Sequence, residues 1–247
     1  MSVGVEEKTK VDGSPAYVVA KASGSLKGAV KETAKKTLDD VSMTPSLRKI
    51  TFFASGGSFL DGYVLSLIGV ALTQLVPAFG LSTEESAAIV GIFFGTILGG
   101  YVTDKIGRHV MFIVDVLAIC VFSLWSVFAT QAWEFVAARF FIGLFIGADY
   151  PIATSLIAEF APKKSRSINM GIVSAAWYLG ATVAAVVGYA LYGVEDGWRW
   201  MLASPVPICV FLLIGRSRVP ESPLWLIERG RIEEAHDVMK LVYDADI

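Results

Sequence analysis

The sequence is poor in the residues that build disulfide staples and metal centres. Two cysteines, Cys120 and Cys209, and two histidines, His109 and His236, occur in 247 residues. Both cysteines lie inside apolar runs, where a thiol acts as a buried small residue, so no disulfide or metal role is expected. The histidines are far apart in the chain, so neither a metal cluster nor a cofactor is expected. Charge is also scarce. Asp, Glu, Lys and Arg make up 18% of the chain and the net charge is −2, which gives nucleic acid nothing to bind. With no nucleophile–base pair and no phosphate loop apparent, an enzyme is not expected.

Apolar residues are abundant, at 54% of the chain, and the mean hydropathy is +0.60. The charges are segregated from long apolar runs. A helix needs about 20 apolar residues to cross the hydrocarbon core. Six segments qualify, approximately Ile50–Val76, Ala87–Asp104, His109–Thr130, Trp133–Phe160, Asn169–Leu191 and Trp198–Gly215. The expected class is an all-α integral membrane protein. Residues 1–49 read as a polar tail carrying nine Lys or Arg, residues 50–215 as the bundle, and residues 216–247 as a polar linker. The tail lacks the apolar stretch of a signal peptide, so no cleavage is expected. Leu26–Val41 has the spacing of a polar helix that could lie on a membrane surface.

Basic residues set the orientation. The connections after the first, third and fifth segments hold no Lys or Arg. The second holds Lys105 and Arg108, the fourth holds Lys163, Lys164 and Arg166, and the final tail holds Arg216, Arg218, Arg229, Arg231 and Lys240. Both termini are expected in the cytoplasm, with the protein in the plasma (inner) membrane. Glycines at spacing four, Gly91, Gly95 and Gly99 in the second segment and Gly143 and Gly147 in the fourth, predict close helix contacts.

A charge inside a bilayer costs at least ~2.5–3.5 kcal/mol, so it is a functional candidate by default. Asp61, Asp115, Arg139, Asp149 and Glu159 qualify. At ~1.5 Å per residue, Asp61 lies near the midplane, Asp149 a few ångströms past it and Arg139 in the outer half. Asp115 and Glu159 fall near the cytoplasmic end, where water is expected to reach them. Asp61 and Arg139 carry opposite charge. Paired across helices one and four, they would be either a proton switch or a static ion pair that fixes register. Pro151 predicts a kink beside Asp149, and Tyr63, Tyr150 and Trp177 are candidate cavity walls.

The run from Gly100 to His109, GYVTDKIGRH, resembles the signature between helices two and three of the major facilitator superfamily. The stretch Arg139–Arg166, the GWRW at Gly197–Trp200 and the PESPLWL at Pro220–Leu226 resemble sugar-porter motifs in matching places. The resemblance implies six transmembrane helices as 3+3 inverted repeats, half of a twelve-helix transporter fold. It implies proton-coupled uptake of a small metabolite by alternating access, with Asp61, Arg139 and Asp149 in proton coupling. It also implies a cytoplasmic gate of Gly100, Asp104, Gly107, Arg108, Glu159, Arg166 and Glu221, and a partner in a second six-helix half or a second copy.

Some residues depart from the family pattern. Leu224 stands where sugar porters carry Arg, and the fifth segment has no Gln for hydroxyl recognition. Gly147–Pro151 resembles phosphate:proton symporters, while Val64 stands where their second helix-one acid would be. The FLDGYVL and GADY motifs are most similar to bacterial-type metabolite transporters. The alternatives are a phosphate or organic-anion symporter fragment, or a membrane sensor or partner protein that transports nothing.

Overall fold

The computed structural model describes residues 44–79 and 84–243. The expectation for Leu26–Val41 lies outside the described residues. Among the described residues the chain is helical throughout, with no strand. The helices are α1 (Pro45–Phe79), α2 (Glu84–Ile106), α3 (Arg108–Phe128), α4 (Ala132–Phe160), α5 (Arg166–Leu191), α6 (Gly197–Ala203), α7 (Pro205–Arg216), α8 (Pro223–Glu228) and α9 (Ile232–Tyr243). Six spans are long and apolar enough to cross a membrane, with α6 and α7 together forming the sixth. They match the six expected segments to within about one helical turn.

The sixth span is broken where Pro205 starts α7. Proline has no N–H to donate into the preceding turn, so the ladder of α6 stops there. Ser204 sits at the break, and its Oγ lies 2.6 Å from the Tyr63 hydroxyl of α1.

Two helix pairs approach most closely. A Cβ on Gly91 or Gly95 of α2, or on Gly143 or Gly147 of α4, would run into backbone atoms of the opposite helix. Gly62 of α1 and Gly180 of α5 make the same kind of approach. Exchanging the first three spans for the second three turns the α1–α5 pair into the α4–α2 pair, as 3+3 inverted repeats require. The glycine spacing therefore read correctly as close packing.

The interior holds two hydrophobic clusters stacked along the spans. One, toward the basic end, contains Ile50, Phe112, Ile152, Phe160 and Trp225. The other contains Leu60, Tyr63, Val116, Ile146 and Trp198. On α3, Asp115 falls between Phe112 and Val116, and on α4, Asp149 falls between Ile146 and Ile152. Buried Asp115 and Asp149 thus lie at the seam between the apolar clusters. Replacing Gly95 by Leu should cost at least about 1–3 kcal/mol, because its side chain meets the Leu144 backbone rather than a movable side chain. Thermal unfolding in detergent, with Gly100→Leu as the control in open space, measures the difference.

Candidate functional site

Arg216 is the last residue of α7 and is completely buried. The expectation that it belongs to a cytoplasmic tail is therefore corrected. Its Nη1 lies 3.3 Å from Asp149 Oδ1 and 3.5 Å from Asp115 Oδ2. The same nitrogen donates to the Phe112 carbonyl at 2.8 Å, and the guanidinium centre stands 3.6 Å from the Phe112 ring centroid. Gly57 of α1 makes room, since a Cβ there would strike both Arg216 and Asp149. Asp61 is buried as well, and its charged neighbours are Asp149, Asp115 and Arg216. Four spans thus contribute three carboxyls and one guanidinium to one dry site. Several of their polar atoms, including Asp61 Oδ1, Asp149 Oδ2 and Arg216 Nη2, have no hydrogen-bond partner.

The expected Asp61–Arg139 pair is not formed. Arg139 precedes Asp149 by about 15 Å along α4, and the charged neighbours of Asp61 are Asp149, Asp115 and Arg216. Arg139 Nη2 instead donates to Ser126 Oγ of α3 at 3.2 Å, and its guanidinium lies over the Phe135 ring. Asp115, expected near water, is withdrawn from it, whereas Glu159 stays partly exposed. Asp115 is fully buried, and the Glu159 carboxylate is held by Arg108 and Ser222.

Tyr150 and Trp177 both line a cavity of about 330 Å³ between α1, α4 and α5. Ser58, Thr154, Ser174 and Tyr178 complete its polar lining, and no charged residue is among the lining residues. Tyr63 does not join them. It is buried in the apolar interior with its hydroxyl on Ser204, because Gly62 brings α1 too close to α5 to leave space there.

Most of the residues expected to form a gate lie together at the basic end. Gly107 separates α2 from α3 with φ at 119°, a conformation that a side chain would strain. Arg108 pairs with Asp104 and with Glu159, each at 3.0 Å. Glu221 Oε1 accepts the backbone N–H of Arg108 at 3.0 Å and of His109 at 3.1 Å, so it caps the first turn of α3. Arg166 donates to the Ala161 carbonyl at 3.2 Å. Gly100 is not drawn in, and no atom lies within 4 Å of where its Cβ would be.

Three gate residues were not anticipated. Ser222 binds Glu159 and also caps α8. Trp225 Nε1 and Arg229 Nη2 both donate to the Asp104 carbonyl at 3.1 Å. Arg229 thereby supplies, at the end of α2, a cation that Leu224 does not.

Residues 50–245 match the family described as Sugar (and other) transporter. The chain belongs to that family. It is an integral membrane protein with half of the major facilitator fold. It is 46% identical over 209 residues to the Escherichia coli (strain K12) protein YaaU, which is named for metabolite transport, covering 83% of this chain and 47% of YaaU. It is 33% identical to the inner membrane metabolite transport protein YgcS of the same organism, over 84% of this chain and 48% of YgcS. The proton:xylose symporter XylE superposes with a TM-score of 0.73 at 25% identity, covering 78% of this chain and 49% of XylE. Inward-open XylE from E. coli gives 0.69. The chain spans about half the length of the curated relatives it matches.

Removing one partner of a buried ion pair costs about 3–5 kcal/mol, since the other charge is left stranded. Arg216→Met should lower stability by about that much. Adding Asp115→Asn and Asp149→Asn should recover most of it. Denaturant titration followed by tryptophan fluorescence tests both expectations.

Proposed function

We propose that this chain is one half of a secondary transporter that takes up a small, uncharged polar metabolite coupled to protons. Its partner is a second six-helix half or a second copy. The observation that carries this reading is the cluster of Asp61, Asp115 and Asp149 around the single guanidinium of Arg216. Three carboxylates and one guanidinium leave two negative charges uncompensated. A dry interior penalises each such charge by several kcal/mol, and a bound proton removes it. The site is thus built to take up and give back protons as access to water changes.

The substrate class follows from the cavity at Tyr150 and Trp177. Its aromatic rings and hydroxyls, without a charge among the lining residues, suit a neutral metabolite better than phosphate. The orientation that puts the basic end in the cytoplasm follows from the connecting segments.

The coupling route runs along two connections. Asp149 and Glu159 lie on the same helix, so a shift of α4 at the cluster is felt at the gate. Arg216 leads through Val219 and Pro220 into Glu221 and Ser222, which cap α3 and hold Glu159. When a proton replaces Arg216 as the partner of Asp149 or Asp115, the end of α7 is freed and the gate loosens. In this reading the Arg108 pairs hold the gate at the basic end closed, and alternating access requires it to open.

The test uses proteoliposomes holding the chain, alone and with a co-expressed second half, under an imposed pH gradient. D-Xylose and glucose are suitable probes, because relatives are named as transporters of them. Accumulation above equilibrium should occur and collapse with a protonophore. Asp61→Asn should abolish accumulation by more than tenfold while keeping counter-exchange. Accumulation that ignores the pH gradient, or that survives Asp61→Asn unchanged, would contradict the proposal.

A further inference from the structure

The basic end carries a second cavity that neither the charge cluster nor the gate uses. It has a volume of about 700 Å³ and lies between the start of α1, the end of α7 and α9. Arg48, Lys49 and Arg218 line it, all three exposed, and no acidic residue is among its described lining residues. Apart from Ser46 its walls are otherwise apolar, with Phe52, Phe53 and Val219 toward the membrane and Leu241 on α9.

A second space adjoins it. A groove of about 400 Å³ runs between α1, α5 and α7 and shares Phe52 with the basic cavity. Along α1 it is lined by Phe52, Ser55, Gly56 and Phe59, successive positions on one helical face that lead about 10 Å into the membrane. Opposite them stand Leu179 of α5 and Phe211 of α7, both more than half exposed. The groove has no charged lining residue.

A basic cavity at the membrane surface that opens into an apolar groove along the span has the shape and polarity of a single amphiphile. We infer that this pair of spaces is a binding site for an anionic phospholipid. Arg48, Lys49 and Arg218 hold its phosphate, and an acyl chain lies against Phe52, Phe59 and Phe211. Basic pockets between transmembrane helices recognise anionic headgroups by charge. Free phosphate fits only the first space, so it forfeits the acyl contact. The position also matters for the fold, because α1 and α7 carry Asp61 and Arg216. A lipid seated between them bridges two of the four spans that build the charge cluster.

The experiment places the purified chain in nanodiscs of phosphatidylcholine with one-fifth phosphatidylglycerol, releases it, and counts retained lipids by native mass spectrometry. Phosphatidylglycerol should be retained at least tenfold over its share of the bilayer. The triple variant Arg48→Gln, Lys49→Gln, Arg218→Gln should lose that enrichment. Lys163→Gln with Lys164→Gln, which removes two cations elsewhere at the same end, should keep it. Phe211→Ser should reduce it with all cations present. Inorganic phosphate at millimolar concentration should not displace the lipid. Equal retention of the two lipids, equal loss in the Lys163 and Lys164 variant, no loss in the triple variant or in Phe211→Ser, or displacement by phosphate would each overturn the proposal. Circular dichroism confirms that each variant is folded before it is scored.

Discussion

One guanidinium held between two buried carboxyls, with a third buried carboxyl nearby, is the constraint on which the rest of the structure depends. Arg216 enters from the end of α7, and Asp61, Asp115 and Asp149 come from α1, α3 and α4. The two hydrophobic clusters stop on either side of this group, so it divides the bundle into two levels. Apolar packing alone would let these helices slide. A buried charge with a specific partner does not, because any slip strands an ion at a cost of several kcal/mol.

The polar network at the basic end, proposed above as a gate, joins the same cluster through chain connectivity. Glu221 and Ser222 follow Arg216 within one short segment, and both act on α3 and α4. Glu221 does more than complete a set of charges. It accepts two backbone N–H groups at the start of α3, where the helix dipole favours an anion. A change at Arg216 therefore reaches two helices through bonded geometry, and no long-range electrostatic effect is required.

The six spans were legible because length and hydropathy are additive along a chain. The close helix pairs were legible because glycine at spacing four leaves a groove whatever surrounds it. Most gate residues were legible because Asp104 and Arg108 sit one turn apart and recur in a known motif. Arg216 was not. Hydropathy scores it as the end of a span, and no window over one segment can register that Asp115 and Asp149 wait on two others. The Asp61–Arg139 pairing failed for a related reason. Opposite charge made it attractive, but the charged neighbours of Asp61 are Asp149, Asp115 and Arg216, and Arg139 lies about 15 Å from Asp149 along α4. Tyr63 was misplaced because a sequence does not say which face of α1 meets Gly180. Pro205 and Pro207 signalled the break in the sixth span, but a hydropathy window reads across it.

The account stands or falls on whether the cluster holds a proton. Infrared difference spectroscopy of the carboxyl stretch, recorded on the purified chain between neutral and strongly alkaline pH, reads this directly. The prediction is a protonated buried-carboxyl band at neutral pH that Asp61→Asn, Asp115→Asn or Asp149→Asn removes or shifts, and that Glu234→Gln on exposed α9 leaves unchanged. Absence of a protonated carboxyl band at neutral pH, or a band unaltered by all three cluster substitutions, would contradict it.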